Sequence, residues 1–205
     1  MTVLRHFLYI FAWVFIPFCA FTQDEWKLHK EQDNVKLYTK NVGKTKLLQF
    51  KLETTSNNDL DDIYNIILDI ENMNKWYDKV ESVKLLKRNS ETEAIYVLEY
   101  GIPLPFENRV STVKGNMFFD RKNGILKVTT EYHPYQLSAP FSKMALIKIL
   151  KSSWEVTSLI GGGIRIIHSG YMDPGGNIPI WLTNEGVTSG PFKTIRNLKK
   201  LLKAS

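Results

Sequence analysis

Four histidines, one cysteine and a scatter of carboxylates are the groups from which this 205-residue chain would have to build a catalytic or metal centre. His6, His29, His133 and His168 lie far apart, and none shares with another His, Asp or Glu the short helical spacing that metal sites use. Each reads as a surface or strand histidine. No GxSxG turn presents a nucleophilic serine, and no GxxxxGK[ST] loop cradles a phosphate. Gly161-Gly162-Gly163 lacks a following helix to turn its N–H groups into an anion site, so a hairpin turn is its better reading. The acidic pairs Asp24-Glu25 and Asp61-Asp62 sit at or near expected helix starts, where the helix dipole favours negative charge without any catalysis. These patterns call for no catalytic residue, no metal and no cofactor.

The elements that would position any site follow from periodicity. Apolar and polar residues alternate in Val35 to Lys40, Leu47 to Thr55, Val80 to Lys87, Ala94 to Tyr100, Val110 to Phe119, Leu126 to Tyr132, Trp154 to Leu159 and Ile164 to Met172, which predicts strands. Turn formers such as Asn41-Val42-Gly43 and Asp120 to Gly124 separate several of them, so an antiparallel meander is expected. Two segments carry helical spacing instead. Asn57-Asn58-Asp59 offers caps before the stripe Leu60, Ile63, Ile66, Ile67 and Ile70, a helix expected to end near Trp76. A longer one should open around Ile178-Pro179 and end near Leu202, with Trp181, Asn184, Thr188, Phe192, Ile195 and Leu198 on one face. Gly186, Gly190 and Pro191 should kink it or make it locally irregular. The order predicts an α+β fold in which a curved antiparallel sheet wraps a long C-terminal helix.

The N-terminus is read as an address. After Arg5, the run from Phe7 to Phe21 has 15 residues without a charge, shorter than the about 20 that a membrane span needs, and Thr22-Gln23-Asp24-Glu25 follows. A signal peptide over residues 1–22 is therefore expected, with export to the periplasm or cell envelope. An uncleaved anchor is the alternative. Residues 23–205 then form one domain without Cys19, and loss of Arg5 lowers the formal charge from +6 to +5. Such a domain is long enough to stand on its core alone, without disulfides. Basic residues are interspersed with acidic ones except from Lys193 to Lys203, so nucleic acid is not an expected partner. That basic helix end is read as a solvated face, with transient contact to anionic membrane head groups as the alternative.

The most specific stretch runs from Tyr171 to Asn184, where a strand ends in Asp173-Pro174-Gly175-Gly176 and Ile178-Pro179-Ile180-Trp181-Leu182 opens the long helix. Together with Trp26 and Val35 to Lys40, Asn74-Lys75-Trp76-Tyr77, and Tyr100 to Arg109 (YGIPLPFENR), it resembles the START domain family, the lipid-transfer relatives of steroidogenic acute regulatory protein. The family's Asp after the strand-opening arginine is replaced here by Val110. The resemblance implies a helix-grip fold with a hydrophobic cavity between sheet and helix, and a monomer binding one lipid or other hydrophobic small molecule without catalysing a reaction. It also implies Glu99 and Arg109 on neighbouring strands as polar groups meeting the ligand, with a solvent-facing cross-strand pair as the alternative. Tyr96, Trp154, Trp181 and Asn184 complete the expected ligand-binding set. The segment from His133 to Ser142, bracketed by Pro134 and Pro140, is expected either to gate the tunnel or to be a plain surface loop. A helix-grip enzyme of the aromatase/cyclase or hydrolase type, using the same cavity, is the competing function.

Overall fold

The computed structural model describes residues 25–204; the leader reading of residues 1–22 lies outside them. Ten strands form one sheet: β1 (Lys27–Gln32), β2 (Val35–Asn41), β3 (Leu48–Ser56), β4 (Val80–Arg88), β5 (Glu93–Tyr100), β6 (Arg109–Asp120), β7 (Ile125–Tyr132), β8 (Ala145–Leu146), β9 (Ile149–Ser158) and β10 (Ile164–Asp173). Their spatial order is β1-β2-β3-β10-β9-β7-β6-β5-β4, antiparallel throughout, with the two-residue β8 added parallel to β6. Helix α1 (Leu60–Leu68) and the 25-residue α2 (Ile180–Ala204) complete the fold. No helix among the described residues is long and apolar enough to cross a membrane.

Alternation settles which face of each strand is buried. Val35 and Leu37 of β2, Phe50 and Leu52 of β3, Ile164 and Ile166 of β10, Trp154 and Val156 of β9, and Leu126 and Val128 of β7 share one core with Ile63 and Ile67 of α1 and Phe192, Ile195 and Leu198 of α2. A second core lies under β4, β5 and β6, built from Val80, Tyr96, Leu98, Tyr100 and Val113. The two ends of the helical layer are tied together: Asn58 Nδ2, beside the α1 cap, donates to the Leu202 carbonyl of α2 at 2.7 Å. The Asp59 N–H donates to the Asp62 carboxylate at 3.0 Å, so that acid serves as a cap.

The boundaries differ from expectation in four places. Helix α1 stops at Leu68, and a 3-10 turn, Ile70–Lys75, carries the chain on to Trp76. Trp26 leads into β1, a strand that the spacing does not predict; every residue of β1 is exposed, so no alternation marks it. β9 begins five residues before Trp154. Helix α2 stays helical through Gly186, Gly190 and Pro191.

One cross-sheet row decides the shape of the interior. Phe50, Gly170, Ser152, Thr130, Gly115 and Ala94 are successive register partners from β3 across to β5, all on the face that looks toward the helices. From Gly170 onward each is small, so the sheet is hollowed along that line. At Gly170 an added Cβ would stand 2.6 Å from the Lys151 carbonyl oxygen, and at Gly115 it would press on the Tyr96 ring at 3.1 Å. The core beside this row is closely packed. Ile195→Ala, which removes a fully buried side chain from α2, is expected to cost about 2–5 kcal/mol in urea unfolding, measured as a lower midpoint at unchanged slope.

Candidate functional site

Two cavities lie between the sheet and the helical layer, the smaller of them over the hollow. The larger, about 210 Å³, lies between α2 and the sheet, with Leu182, Thr183, Val187 and Pro191 above, and Phe50, Leu150 and Met172 below. Its charged lining groups are Asp78, Lys79, Lys151, Glu185 and Lys193. The smaller, about 70 Å³, lies over the small-residue row, walled by Tyr96, Trp154 and Met117 and roofed by Ile67, Met73 and Trp76. Tyr77 and Tyr100 line both.

Tyr77 follows the 3-10 turn and reaches across the apolar face of the sheet to a buried polar cluster. Its hydroxyl lies 3.2 Å from His168 Nε2, and Ser152 Oγ lies 3.1 Å from the same nitrogen. His168 has no exposed surface. Its ring stacks on Trp154, its register partner on β9, at 3.8 Å between centroids and 10° between planes, while Phe50 meets it edge-on. His168 Nδ1 is buried without a hydrogen-bond partner. Burial holds the imidazole neutral, pushing its pKa down to about 3. Burial likewise pushes Tyr77 up to about 12 and raises Tyr96 and Tyr100, so all three remain phenols that can donate.

Of the residues singled out in the sequence, Tyr96 and Trp154 line the smaller cavity, with the Tyr96 hydroxyl 3.2 Å from Thr130 Oγ1. Glu99 and Arg109 are not brought together. Tyr100 is the register partner of Arg109 and Val110 that of Glu99, and successive residues of a strand point to opposite faces. Glu99 therefore lies on the face away from the cavities. There it accepts from Ser82 Oγ at 2.8 Å and Asn108 Nδ2 at 2.9 Å, closing the turn between β5 and β6. Arg109 shares the cavity side but lines neither cavity. Its Nη1 donates to the Glu107 carbonyl at 2.7 Å, and Nη2 sits beside the Gly176 loop. Arg109 Nε is buried without a partner.

Trp181 points to solvent, 66% exposed; its neighbour Leu182 lines the cavity instead. Asn184 is a structural clip. Its Oδ1 accepts from the Leu48 N–H at 2.9 Å and its Nδ2 donates to the Lys46 carbonyl at 2.9 Å, fastening α2 to the edge of β3. The His133 to Ser142 segment lines neither of these cavities, whereas the Ile102-Pro103 turn borders the larger one. His168 and Ser152 went unrecognised because a lone strand histidine carries no spacing signal. Its alternation with Ile164 and Ile166 did mark it as inward-facing. Among the described residues no group of three His, Cys, Asp or Glu could hold a metal ion.

A sheet gripping a terminal helix over an apolar cavity agrees with the comparisons to known proteins. The family model described as polyketide cyclase/dehydrase and lipid transport matches residues 57–199. The chain belongs to that family. A STAR-related lipid transfer protein of Xanthomonas axonopodis is 27% identical, with a TM-score of 0.77 over 88% of this chain and 99% of that one. Human StAR-related lipid transfer protein 5 shares the helix-grip fold at 12% identity and a TM-score of 0.75, over 87% of this chain and 86% of its own. An uncharacterised protein of Pseudomonas aeruginosa is 24% identical across 86% of both chains.

The buried neutral imidazole sets a pH dependence. Unfolded, His168 takes up its proton near pH 6.5; folded, it does so only near 3. Between these values the unfolded chain binds more protons, so stability falls as pH drops through that window. From this residue the loss should be about 2 kcal/mol between pH 7 and pH 5. Urea unfolding across that range should show the slope reduced in His168→Gln; a slope that the variant keeps in full belongs to other groups.

Proposed function

We propose that the protein binds, and carries, one lipid or other hydrophobic small molecule in the space between α2 and the hollowed sheet. The observation that supports this most directly is the larger cavity, lined by apolar groups from α2, β5, β9 and β10, with a phenol-bearing wall leading to a second apolar space. Burying an alkyl body there gains about 25 cal/mol per Å² removed from water; of the charged lining groups, Asp78 holds its Oδ2 buried without a hydrogen-bond partner. Neither cavity alone reaches the about 300–1,000 Å³ usual for small-molecule sites, so ligand entry moves Tyr77 or Tyr100 and joins the two. The name of the Xanthomonas relative supports lipid as the ligand class.

An enzymatic reading has one observation in its favour, the Ser152 Oγ to His168 Nε2 distance of 3.1 Å. A serine nucleophile needs a histidine that can accept its proton and a third group to hold the resulting cation. His168 Nδ1 has no such partner, and its environment opposes protonation. A carrier role fits these groups better.

The same proposal places the protein outside the cytoplasm after removal of residues 1–22, acting as a monomer. Exposed Lys193, Arg196, Lys200 and Lys203 on α2 supply a basic face for transient contact with anionic membrane; Lys199 is engaged with Thr54 at 2.6 Å.

Mass spectrometry of solvent extracts from protein purified without detergent should find a hydrophobic molecule at near-stoichiometric amount. Val187→Trp, which fills the larger cavity from α2, should lower that occupancy at least about tenfold while the chain stays folded. Equal occupancy in the variant would exclude this cavity as the binding place.

A further inference from the structure

The polar cluster under the two cavities has a hydrogen-bond inventory that does not close on itself. The buried imidazole is neutral and carries one N–H. If that hydrogen sat on Nδ1 it would be a buried donor without an acceptor, the costlier kind of orphan, since Nδ1 has no partner. With the hydrogen on Nε2, Nδ1 is only a bare lone pair, and the N–H faces the oxygens of Tyr77 and Ser152 at 3.2 and 3.1 Å. The partners thus assign the Nε2–H tautomer. His168 then accepts from neither hydroxyl. One hydroxyl can donate to the other, but the second hydrogen has no acceptor within the cluster. Both oxygens belong to residues lining the smaller cavity, and Tyr77 also lines the larger one.

We infer that Tyr77 and Ser152, held by His168 from behind, are the polar anchor of the ligand space and donate to an uncharged acceptor oxygen, a carbonyl or hydroxyl of a neutral lipid. This rests on the hydrophobic-ligand reading above and narrows its ligand class. An ionised carboxylate or phosphate at this position would be buried without a cation, because the lysines and arginine bordering the cavities, Lys79, Lys151, Lys193 and Arg88, do not take part in the cluster. A hydrocarbon with no oxygen would leave the hydroxyl hydrogen unmet. Trp154 stacked on the imidazole and Phe50 edge-on to it fix the plane of the ring, and the Tyr77 and Ser152 contacts fix which edge carries Nε2. The anchor's direction is therefore set by the fold before the ligand arrives.

Four probes of one chain length separate the alternatives: 1-dodecanol, methyl dodecanoate, dodecanoate at pH 8 and dodecane, each titrated against a solvatochromic apolar dye bound to the delipidated full chain. The alcohol or the ester, or both, should displace the dye about tenfold better than dodecane and dodecanoate; which of the two leads tells hydroxyl from carbonyl. Tyr77→Phe and Ser152→Ala should each reduce that advantage by about three- to tenfold, and the double variant should abolish it, while dodecane affinity stays within about twofold of the unmodified chain. The dodecane value checks that the cavity survives the substitutions. Tightest binding by dodecanoate, or an advantage of alcohol and ester that survives both substitutions, would overturn the anchor while leaving the hydrophobic site in place. Failure of all four probes to bind would remove the hydrophobic-ligand reading and the anchor with it.

Discussion

A row of small side chains across a curved sheet is the constraint on which the rest of this molecule depends. Gly170, Ser152, Thr130, Gly115 and Ala94 lie side by side on the face turned toward the helices, flanked by rows that carry Trp154, Val128 and Met117 on one side and Tyr96, Val113 and Leu150 on the other. An interior normally fills to crystal-like density. Here Ile67 of α1 and Met73 and Trp76 of the segment after it lie over the trough, while α2 rests its bulky residues Phe192, Ile195 and Leu198 on β2, β3 and β10. These groups bridge the hollow instead of filling it, and the space left over is largely apolar.

The same geometry explains why polar groups are tolerated at the centre. Ser152 belongs to the small-residue row, and His168 is the register partner of both Leu52 and Trp154 one row away. Placing an imidazole there costs its protonation, which burial suppresses, but aromatic stacking on Trp154 and two hydroxyl contacts hold it in one orientation. Formal charge is kept elsewhere. Glu99 and its hydrogen-bonding partners work on the outer face of the sheet, and Arg109 donates to the carbonyls of Glu107 and Asn108 beside the loop that leads into α2. The interior is polar where hydroxyls can be oriented, yet Asp78 Oδ2 and Arg109 Nε are buried without hydrogen-bond partners.

Most of the strands and both helices were legible because burial on one face imposes a period of two on a strand and of 3.6 on a helix. β1 escaped notice because all six of its residues are exposed, and β8 because two residues carry no period at all. The 3-10 turn after α1 escaped for a related reason: Ile70 and Met73 prolong the apolar stripe, yet the N–H of Asp69 closes on the Asn65 carbonyl and the tighter turn begins there. Tyr96 and Trp154 could be placed on the inward face from alternation, though not at a cavity. Glu99 and Arg109 could not be placed as a pair, because parity depends on register. A shift of one residue in the turn between β5 and β6 would have put both on the same face.

By itself, then, the order of apolar periods in this chain determined an antiparallel sheet closed by a long amphipathic helix, since each element must bury the face that its own spacing defines. Only the tertiary structure decided that Ser152, His168 and Tyr77 converge from β9, β10 and the segment after α1. Their meeting depends on strand register and on where the 3-10 turn releases the chain, quantities set by the packing of distant segments. It also decided that Trp181 faces solvent and that Asn184 clips α2 to the end of β3. A helical face is wider than the groove it covers, and which part of it meets the cavity is fixed by the helix's rotation against the sheet.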